Sequence, residues 1–408
     1  MTLPPVSVII VSRGRADHLR GCLKTLEMQD HPAFEIVLVA DAAGLAQRPD
    51  LAIKRVSFDQ ANISAARNLG IAQAAGGIIA FIDDDSLAEP GWLSALSAPF
   101  AHAGVIAATG WTRDRDGFHW QARGHRIDGR ARLHPLADSA GTVLLAPEDG
   151  APVSTLGTNC AFRAAALRAV GGFDPALPYH LDESDVNMRM CAAFPAALTA
   201  IVPGAQVIHL RGAGTWRHAD QVPSDLGRHG RSAALFIRRH GGESPKSPTD
   251  QQLSARERRR LLRHVLAGRL DPFALKPLLA TYQRGLAQGR AGPLPAPPPP
   301  RDDSPPALRP LHVRPRAGTV LSGWHWQARR LRAQAARAVA LGDIVTLILL
   351  SPSFLPHRLR LTSGGWFEQT GGLWGASEPG DPPAAFWRLA DRLRREKRLT
   401  ARRRSINS

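Results

Sequence analysis

Across its N-terminal half the chain alternates two hydrophobic rhythms. Val6 to Val11 and Phe34 to Val39 are consecutive apolar runs, the length of strands buried on both faces. Between them Leu19, Cys22, Leu23 and Leu26 recur at the spacing of one helical face, which predicts a helix over Asp17–Gln29. The rhythm continues with a short strand at Ile53–Val56, an alanine-rich helix from Ile63 to Ala75 closed by Gly76-Gly77, and a strand at Ile78–Ile82. Such alternation predicts an α/β fold, a mostly parallel sheet flanked by helices. Residues 105–160 carry turn signals and read as irregular, up to a strand at Asn159–Phe162. A short helix at Ala164–Val170, a helix at Asp182–Ala193 and a strand pair within Ala200–Leu210 follow.

The C-terminal half reads differently. Residues 224–290 pattern as arginine-rich helices, notably Ser254–Leu270, and residues 293–315 hold ten prolines, the signature of a stiff extended linker. Beyond it lie a helical stretch (Trp324–Leu341), a Gly/Trp-rich hairpin-like stretch (Leu359–Trp374) and a basic amphipathic tail (Ala384–Arg404). We therefore divide the chain into an α/β domain over 1–240, a basic helical extension over 241–292, a Pro-rich linker over 293–317 and a small C-terminal module over 318–408.

Charge sharpens this division. Residues 1–215 hold 18 Lys/Arg against 21 Asp/Glu, whereas the remainder holds 34 against 14, so the net charge of +17 belongs to the C-terminal half. A basic half fits an anionic membrane surface or a polyanionic acceptor. No recognised nucleic-acid module accompanies it, so nucleic acid is not an expected partner. Three cysteines without C-x-x-C spacing suggest neither a disulfide framework nor a structural zinc site and fit a reducing cytoplasm. The start of the chain lacks a charged leader, and the apolar run Ile344–Leu350 is far below the ~18 residues of a spanning helix. These features predict a cytoplasmic location, with peripheral contact at the inner membrane's cytoplasmic face.

Candidate chemistry clusters where the predicted strands end, the place where open α/β sheets bind ligands. Asp83-Asp84-Asp85 closes an apolar strand, and three adjacent carboxylates call for a compensating cation. Asp83 and Asp85 can share one side and hold Mn²⁺ or Mg²⁺ bridging a diphosphate, while a neighbouring carboxylate takes a ribose hydroxyl. Arg67, on the helix just upstream, can reach a nucleotide's phosphates or base. Asp182, Glu183 and Asp185 open a helix after an aromatic loop, and Glu183 is the choice for a general base acting on an acceptor hydroxyl. His209 ends an apolar strand, where a lone histidine is more often a satisfied core residue; its place after the acid cluster raises the reading of a further metal ligand.

The ordered set V-S-V-I-I-V-S-R-G-R, V-L-V-A-D, A-A-R-N-L-G-I-A-Q-A-A-G-G-I-I-A-F-I-D-D-D, G-T-N-C-A-F-R, G-G-F-D, L-D-E-S-D-V-N-M-R-M and V-I-H-L resembles family 2 glycosyltransferases of the GT-A fold over about residues 5–215. Each motif alone is weak; seven in order are specific. The resemblance implies an inverting single displacement from a nucleotide-diphosphate sugar, usually a UDP-sugar, with Mn²⁺ or Mg²⁺. It implies that Ser12 and Arg13 line the nucleotide site, Asp41 holds the base and Arg67 belongs to the nucleotide pocket. It further implies that Asp83 and Asp85 form the metal-binding D-x-D with Asp84 as the alternative register, that Glu183 is the base and that His209 contacts the metal. Two departures stand out: Ala40 replaces an acid commonly found before Asp41, and the acid pair runs Asp-Glu, which keeps Asp182 as a rival base.

The implied partners are a nucleotide-sugar donor and a glycan or lipid-linked acceptor, in cell-surface polysaccharide or glycolipid synthesis. Two other readings remain: a catalytically inactive binding or scaffold protein of the same fold, and a sugar-phosphate nucleotidyltransferase. The second wants a Gly-rich basic loop after the first strand, where Ser12–Arg15 offers a single Gly.

Overall fold

The computed structural model describes residues 4–212, 218, 222–242, 248–313 and 316–404. Its first elements follow the predicted alternation: β1 (Val6–Ser12), α1 (Ala16–Leu26), β2 (Phe34–Ala40), a one-turn α2 (Ala42–Leu45), β3 (Lys54–Ser57), α3 (Ile63–Gln73) and β4 (Ile78–Phe81). These strands pair in parallel in the order β3-β2-β1-β4. Next come β5 (Ser86–Ala88), α4 (Trp92–Ser97) and β6 (Val105–Arg113), then four three-residue strands. These are β7 (Trp120–Ala122), β8 (His125–Ile127), β9 (Leu133–Pro135) and β10 (Val143–Leu145). β11 (Cys160–Arg163), α5 (Ala164–Ala169), α6 (Asp182–Ala193) and β12 (Leu198–His209) complete the domain. The ten-stranded sheet runs β10-β12-β6-β11-β4-β1-β2-β3, with β5 on β12 and β7 on β6. Along that path only β10 and β11 run against the rest, so the sheet is mostly parallel as expected.

Alternation along β1 divides the core between the two faces. Val8 and Ile10 pack with Leu19, Leu23 and Trp92 under α1 and α4; Ile9 packs with Ala66, Phe162 and Phe173 under α3 and α5. Gly70 lets α3 close on the sheet, because a Cβ there would lie 2.6 Å from Ile9 Cγ2. Two expectations need correction. Residues 105–160 are not irregular throughout: β6 is a nine-residue inner strand, hidden from a pattern reading because small residues (Ala107, Ala108, Gly110) occupy buried positions on both of its faces. The strand pair in 200–210 is one long strand, β12, whose register against β6 shifts between Val202 and Gln206 around Pro203.

Three helices follow: α7 (Gly227–His240), α8 (Asp250–Leu266) and α9 (Leu275–Arg290). They share a core of Leu226, Ala234, Phe236, Leu261, Tyr282 and Leu286. α7 therefore belongs with the helices that follow it as much as with the α/β domain. The proline-rich segment is extended but docked: Arg301 N donates to Arg168 O, Arg309 N to Glu35 Oε2 and Leu311 N to Phe34 O. It straps the far edge of the sheet and delivers the chain to the last module.

That module comprises β13 (Gly318–Trp324), α10 (Ala328–Ala340), β14 (Ile344–Ser351), the hairpin of β15 (Arg358–Leu361) and β16 (Phe367–Gly372), and α11 (Leu389–Arg404). Its sheet runs β13-β14-β16-β15, with the first three strands parallel. β14 is covered on both faces, by Leu331 on α10 and by Leu393 on α11, which explains its unbroken apolar run. The predicted helix from Trp324 begins later, because residues up to Trp324 pair in β13. Met28, Leu87, Phe118 and Ile208 pack against Ile344, Leu359 and Phe367 and join the module to the α/β domain.

Candidate active site

A cleft of about 350 Å³ opens where β1, β4 and β12 end, between the loops after β1 and β3, the segment 178–183 and the start of α7. Ser12, Arg13, Arg67, Asp83, Asp182, Glu183 and His209 line it, as do Arg15, Tyr179, His180, Arg228 and His229. Asp41, Asp84 and Asp85 do not; Asp84 and Asp85 are buried behind it. Asp41 caps α2 by accepting from Gly44 N at 2.7 Å and holds the loop after β1 by accepting from Gly14 N at 2.7 Å. Asp84 is fully buried, accepts from Ser12 Oγ at 2.7 Å and faces Arg15 Nη2 at 2.7 Å. Burial, opposed by Arg15 and reinforced by Asp85, pushes the Asp84 carboxyl up to about 7.

Asp83, Asp85 and His209 come together, each offering one ligand atom within 4.8 Å of the others. His209 Nε2 lies 3.2 Å from Asp85 Oδ1 and 4.0 Å from Asp83 Oδ2. On the opposite edge of the ring Nδ1 donates to Gln121 Oε1 at 2.9 Å, which turns Nε2 towards the carboxylates. Two carboxylates and an imidazole form a donor set suited to a hard or borderline divalent ion such as Mn²⁺ or Mg²⁺. Burial raises the Asp85 carboxyl, but contacts with His209, Arg15 and the Gly212 N–H prevail and hold it well below the usual range. At Asp83 burial prevails over Arg67 and His209 and raises the carboxyl.

The second centre is built on α6. Leu181, just before the helix, adopts a left-handed conformation at φ 62°, a strained choice for a γ-branched residue that turns the chain so Asp182 and Glu183 face Arg67. Arg67 Nη1 lies 2.5 Å from Asp182 Oδ2 and 2.7 Å from Glu183 Oε1, and Nη2 lies 3.5 Å from Asp83 Oδ1. The guanidinium rests over the rings of Phe173 and Phe81 and is buried. Arg67 thus reaches the cleft already neutralised by three carboxylates, so its first effect is on them. Burial and the Glu183 charge push Asp182 well above the ordinary range, whereas at Glu183 the Arg67 charge overcomes burial and lowers the carboxyl. Burial thus favours the neutral form more at Asp182 than at Glu183, whose side chain keeps about a fifth of its surface exposed (20%) in the cleft.

Asp185, the third acid of the cluster, serves the fold. It is fully buried and meets Arg189 at 2.8 Å, Arg239 at 2.8 Å and His240 at 2.8 Å, which ties α6 to α7. Arg13 leans outward to Asp59 at 2.7 Å. Several site residues were not singled out from the sequence. Arg15 was visible in S-R-G-R, but its pairing with Asp84 and Asp85 was not. Gln121 sits in a turn-rich stretch with no signal. Tyr179 meets His229 edge to face and His180 lies tilted against it, with ring centroids 5.4 and 4.9 Å apart; the three cleft-lining rings draw on two segments separated by about fifty residues in the chain.

Residues 7–167 match the model of glycosyl transferase family 2. Among curated proteins, glycosyltransferase AglE of Haloferax volcanii is 30% identical over 115 residues, 26% of this chain and 38% of its own. EpsH of Bacillus subtilis, which carries a provisional glycosyltransferase name, is 33% identical over 99 residues, 22% of this chain and 28% of its own. The matches thus span well under half the length of these relatives. Among solved structures, GalNAc-T7 with UDP, GalNAc and Mn²⁺ aligns at TM-score 0.43 and 18% identity over 57% of this chain and 48% of that one. The mannosyltransferase PcManGT of Pyrobaculum calidifontis with GDP-Man and Mn²⁺ aligns at 0.41 and 19% over 71% and 76%. Over residues 7–167 the chain is thus similar to glycosyl transferase family 2.

Proposed function

We propose that the chain is an inverting, metal-dependent glycosyltransferase that moves a sugar from a nucleotide-diphosphate sugar, a UDP-sugar by family habit, to the hydroxyl of a glycan or lipid-linked acceptor. The observation that carries this reading is the meeting at one cleft of a metal-type triad (Asp83, Asp85, His209) and a carboxyl pair, Asp182 and Glu183, held by one guanidinium, Arg67. In this reading Glu183 takes the proton from the acceptor hydroxyl as it attacks the anomeric carbon from the face opposite the diphosphate. Asp182 and Arg67 orient Glu183 and set its charge. Asp83, Asp85 and His209 hold the Mn²⁺ or Mg²⁺, which when bound supplies positive charge to a leaving diphosphate. Ser12 and Arg13 border the nucleotide, with Asp41 and Asp84 fixing the loop beneath it. Among the described residues no helix is long and apolar enough to cross a membrane. We place the enzyme at the cytoplasmic face of the inner membrane, in cell-surface polysaccharide or glycolipid synthesis.

The test is calorimetry with UDP, GDP and TDP, with and without Mn²⁺, on the wild-type chain and on Asp85→Ala. One nucleotide is expected to bind in a metal-dependent way, with that binding lost in Asp85→Ala. Absence of binding by all three, with or without metal, would return the chain to the reading of an inactive scaffold.

A further inference from the structure

Both basic stretches of the sequence fit an anionic surface, yet the structure treats them differently. α11 is a packed element of the C-terminal module. Arg392, Glu396, Thr400 and Arg404 are buried along one side, and Arg404 pairs with Glu89 of the α/β domain at 2.9 Å. Its outward residues, among them Arg394, Lys397, Arg398 and Arg402, bring no large apolar side chain with them. The α8–α9 hairpin is the opposite case. At its tip Leu266 is 87% and Phe273 88% exposed, and Leu262, one turn earlier, is also exposed. Around them stand Arg258, Arg259, Arg263, Arg269 and Lys276, all exposed. Residues 255–284 hold eight Lys/Arg against two Asp/Glu, and one of those acids, Glu257, is paired with Arg260. Single exposed leucines are ordinary; two almost fully exposed large side chains at a turn ringed by arginines are not.

The hairpin's direction gives the patch its meaning. α9 runs parallel to α7: Leu226 N donates to Thr281 Oγ1 at the start, and Arg238 donates to Gly289 O towards the end. The start of α7, with Arg228 and His229, lines the cleft. Leu275 to Ala280 therefore extend about 9 Å beyond the level of the cleft, at 1.5 Å per residue. α8 returns antiparallel, with Asp250 held to Arg290 at 2.5 Å, so the tip lies at the cleft end of the helical layer.

We propose that the tip of the α8–α9 hairpin docks on an anionic lipid bilayer, with Leu262, Leu266 and Phe273 entering the interface and the surrounding arginines meeting lipid phosphates. A bilayer is the occupant that this combination fits. Arginines alone would suit any polyanion, but exposed Leu and Phe side chains gain only where an apolar phase lies behind the charge. Docking in this orientation turns the cleft mouth towards the lipid surface, so the acceptor hydroxyl is presented by a membrane-borne molecule. That last step rests on the glycosyltransferase reading; the docking itself does not.

Flotation of the full chain with phosphatidylcholine vesicles, with and without phosphatidylglycerol, tests it at low and high salt. Binding is expected only to the anionic vesicles and is lost at high salt. Leu266→Ser/Phe273→Ser is expected to lower partitioning by about tenfold or more, and Arg259→Glu/Arg263→Glu by at least about as much. All four side chains are exposed, and circular dichroism checks that both variants fold. Arg394→Glu/Arg398→Glu on α11 is expected to bind as wild type. Failure of the wild type to float at low salt overturns the proposal. So does binding that ignores the Leu/Phe change, which would mark a site for soluble polyanions. Nucleotide calorimetry on the same preparations reads the cleft separately, so loss of docking with intact nucleotide binding leaves the transfer reading standing.

Discussion

Exchange of Glu183 for Gln, set against exchange of Asp182 for Asn, tests the division of labour in the carboxyl pair. Arg67 Nη1 touches both carboxylates, at 2.5 Å and 2.7 Å, but Glu183 is the more open to the cleft: 20% of its side chain is exposed against 3% for Asp182. Glutamine keeps an oxygen to accept from Arg67 and cannot take a proton. Glu183→Gln should therefore leave donor affinity within about threefold and reduce kcat by ~10²–10⁴, about 3–5 kcal/mol on the barrier. Asp182→Asn removes a carboxyl that burial already biases towards its neutral form, so kcat should stay within about tenfold.

The pH dependence follows from the same geometry. A base must be ionised to work, and the Arg67 charge, prevailing over burial, depresses the Glu183 carboxyl. Activity should thus persist below the ordinary glutamate value of about 4.3 before the acid limb falls. Arg67→Met removes the cation and should move that limb upward. Initial rates of sugar transfer, or of slow donor hydrolysis where no acceptor is supplied, measured across pH for the four proteins give both readouts. The assignment fails if Asp182→Asn loses a hundredfold or more while Glu183→Gln remains active, or if Arg67→Met shifts the limb downward.

Two further perturbations address the scaffold behind the site. Asp185→Asn leaves Arg189, Arg239 and His240 facing a buried neutral amide and should cost about 3–5 kcal/mol in urea unfolding. Burial opposes the depression of its carboxyl, but His240, Arg189 and Arg239 prevail. Its stabilisation should therefore be full above the unfolded-state value of about 3.9, and should fade only as pH falls towards the lower folded-state value; an unchanged urea midpoint at neutral pH would refute the role. Arg404→Met strands the buried Glu89, two-pronged partner of Arg404 at 2.9 and 3.1 Å, and should destabilise by about 3–5 kcal/mol. Adding Glu89→Gln should restore part of that loss, and a double variant no more stable than the single one would show that the pair does not couple the two units.

What was legible in the sequence depended on how local the physics was. Apolar runs flanked by turns placed β1, β2, β4 and α3, because a strand buried on both faces and a helix buried on one leave short-range patterns. β6 escaped because Ala and Gly occupy buried positions on both of its faces, and their burial leaves no strong apolar signal. The role of the proline-rich segment escaped for another reason. Its composition announces extension, but its docking rests on Glu35 and Phe34, more than 250 residues away.

The acid cluster shows the limit most clearly. Asp182, Glu183 and Asp185 are neighbours of like charge on one helix start, and any of them satisfies the electrostatics of a helix N-terminus. Their functions diverge only through partners contributed from elsewhere: Arg67 from α3 for the first two, Arg239 and His240 from α7 for the third. Since Arg67 also approaches Asp83, the state of the metal-type triad and the charge of Glu183 share one cation. A change at either centre should thus be felt at the other. That coupling is a property of the folded cleft, because it runs through a single guanidinium that the sequence places more than a hundred residues from the carboxylates it divides.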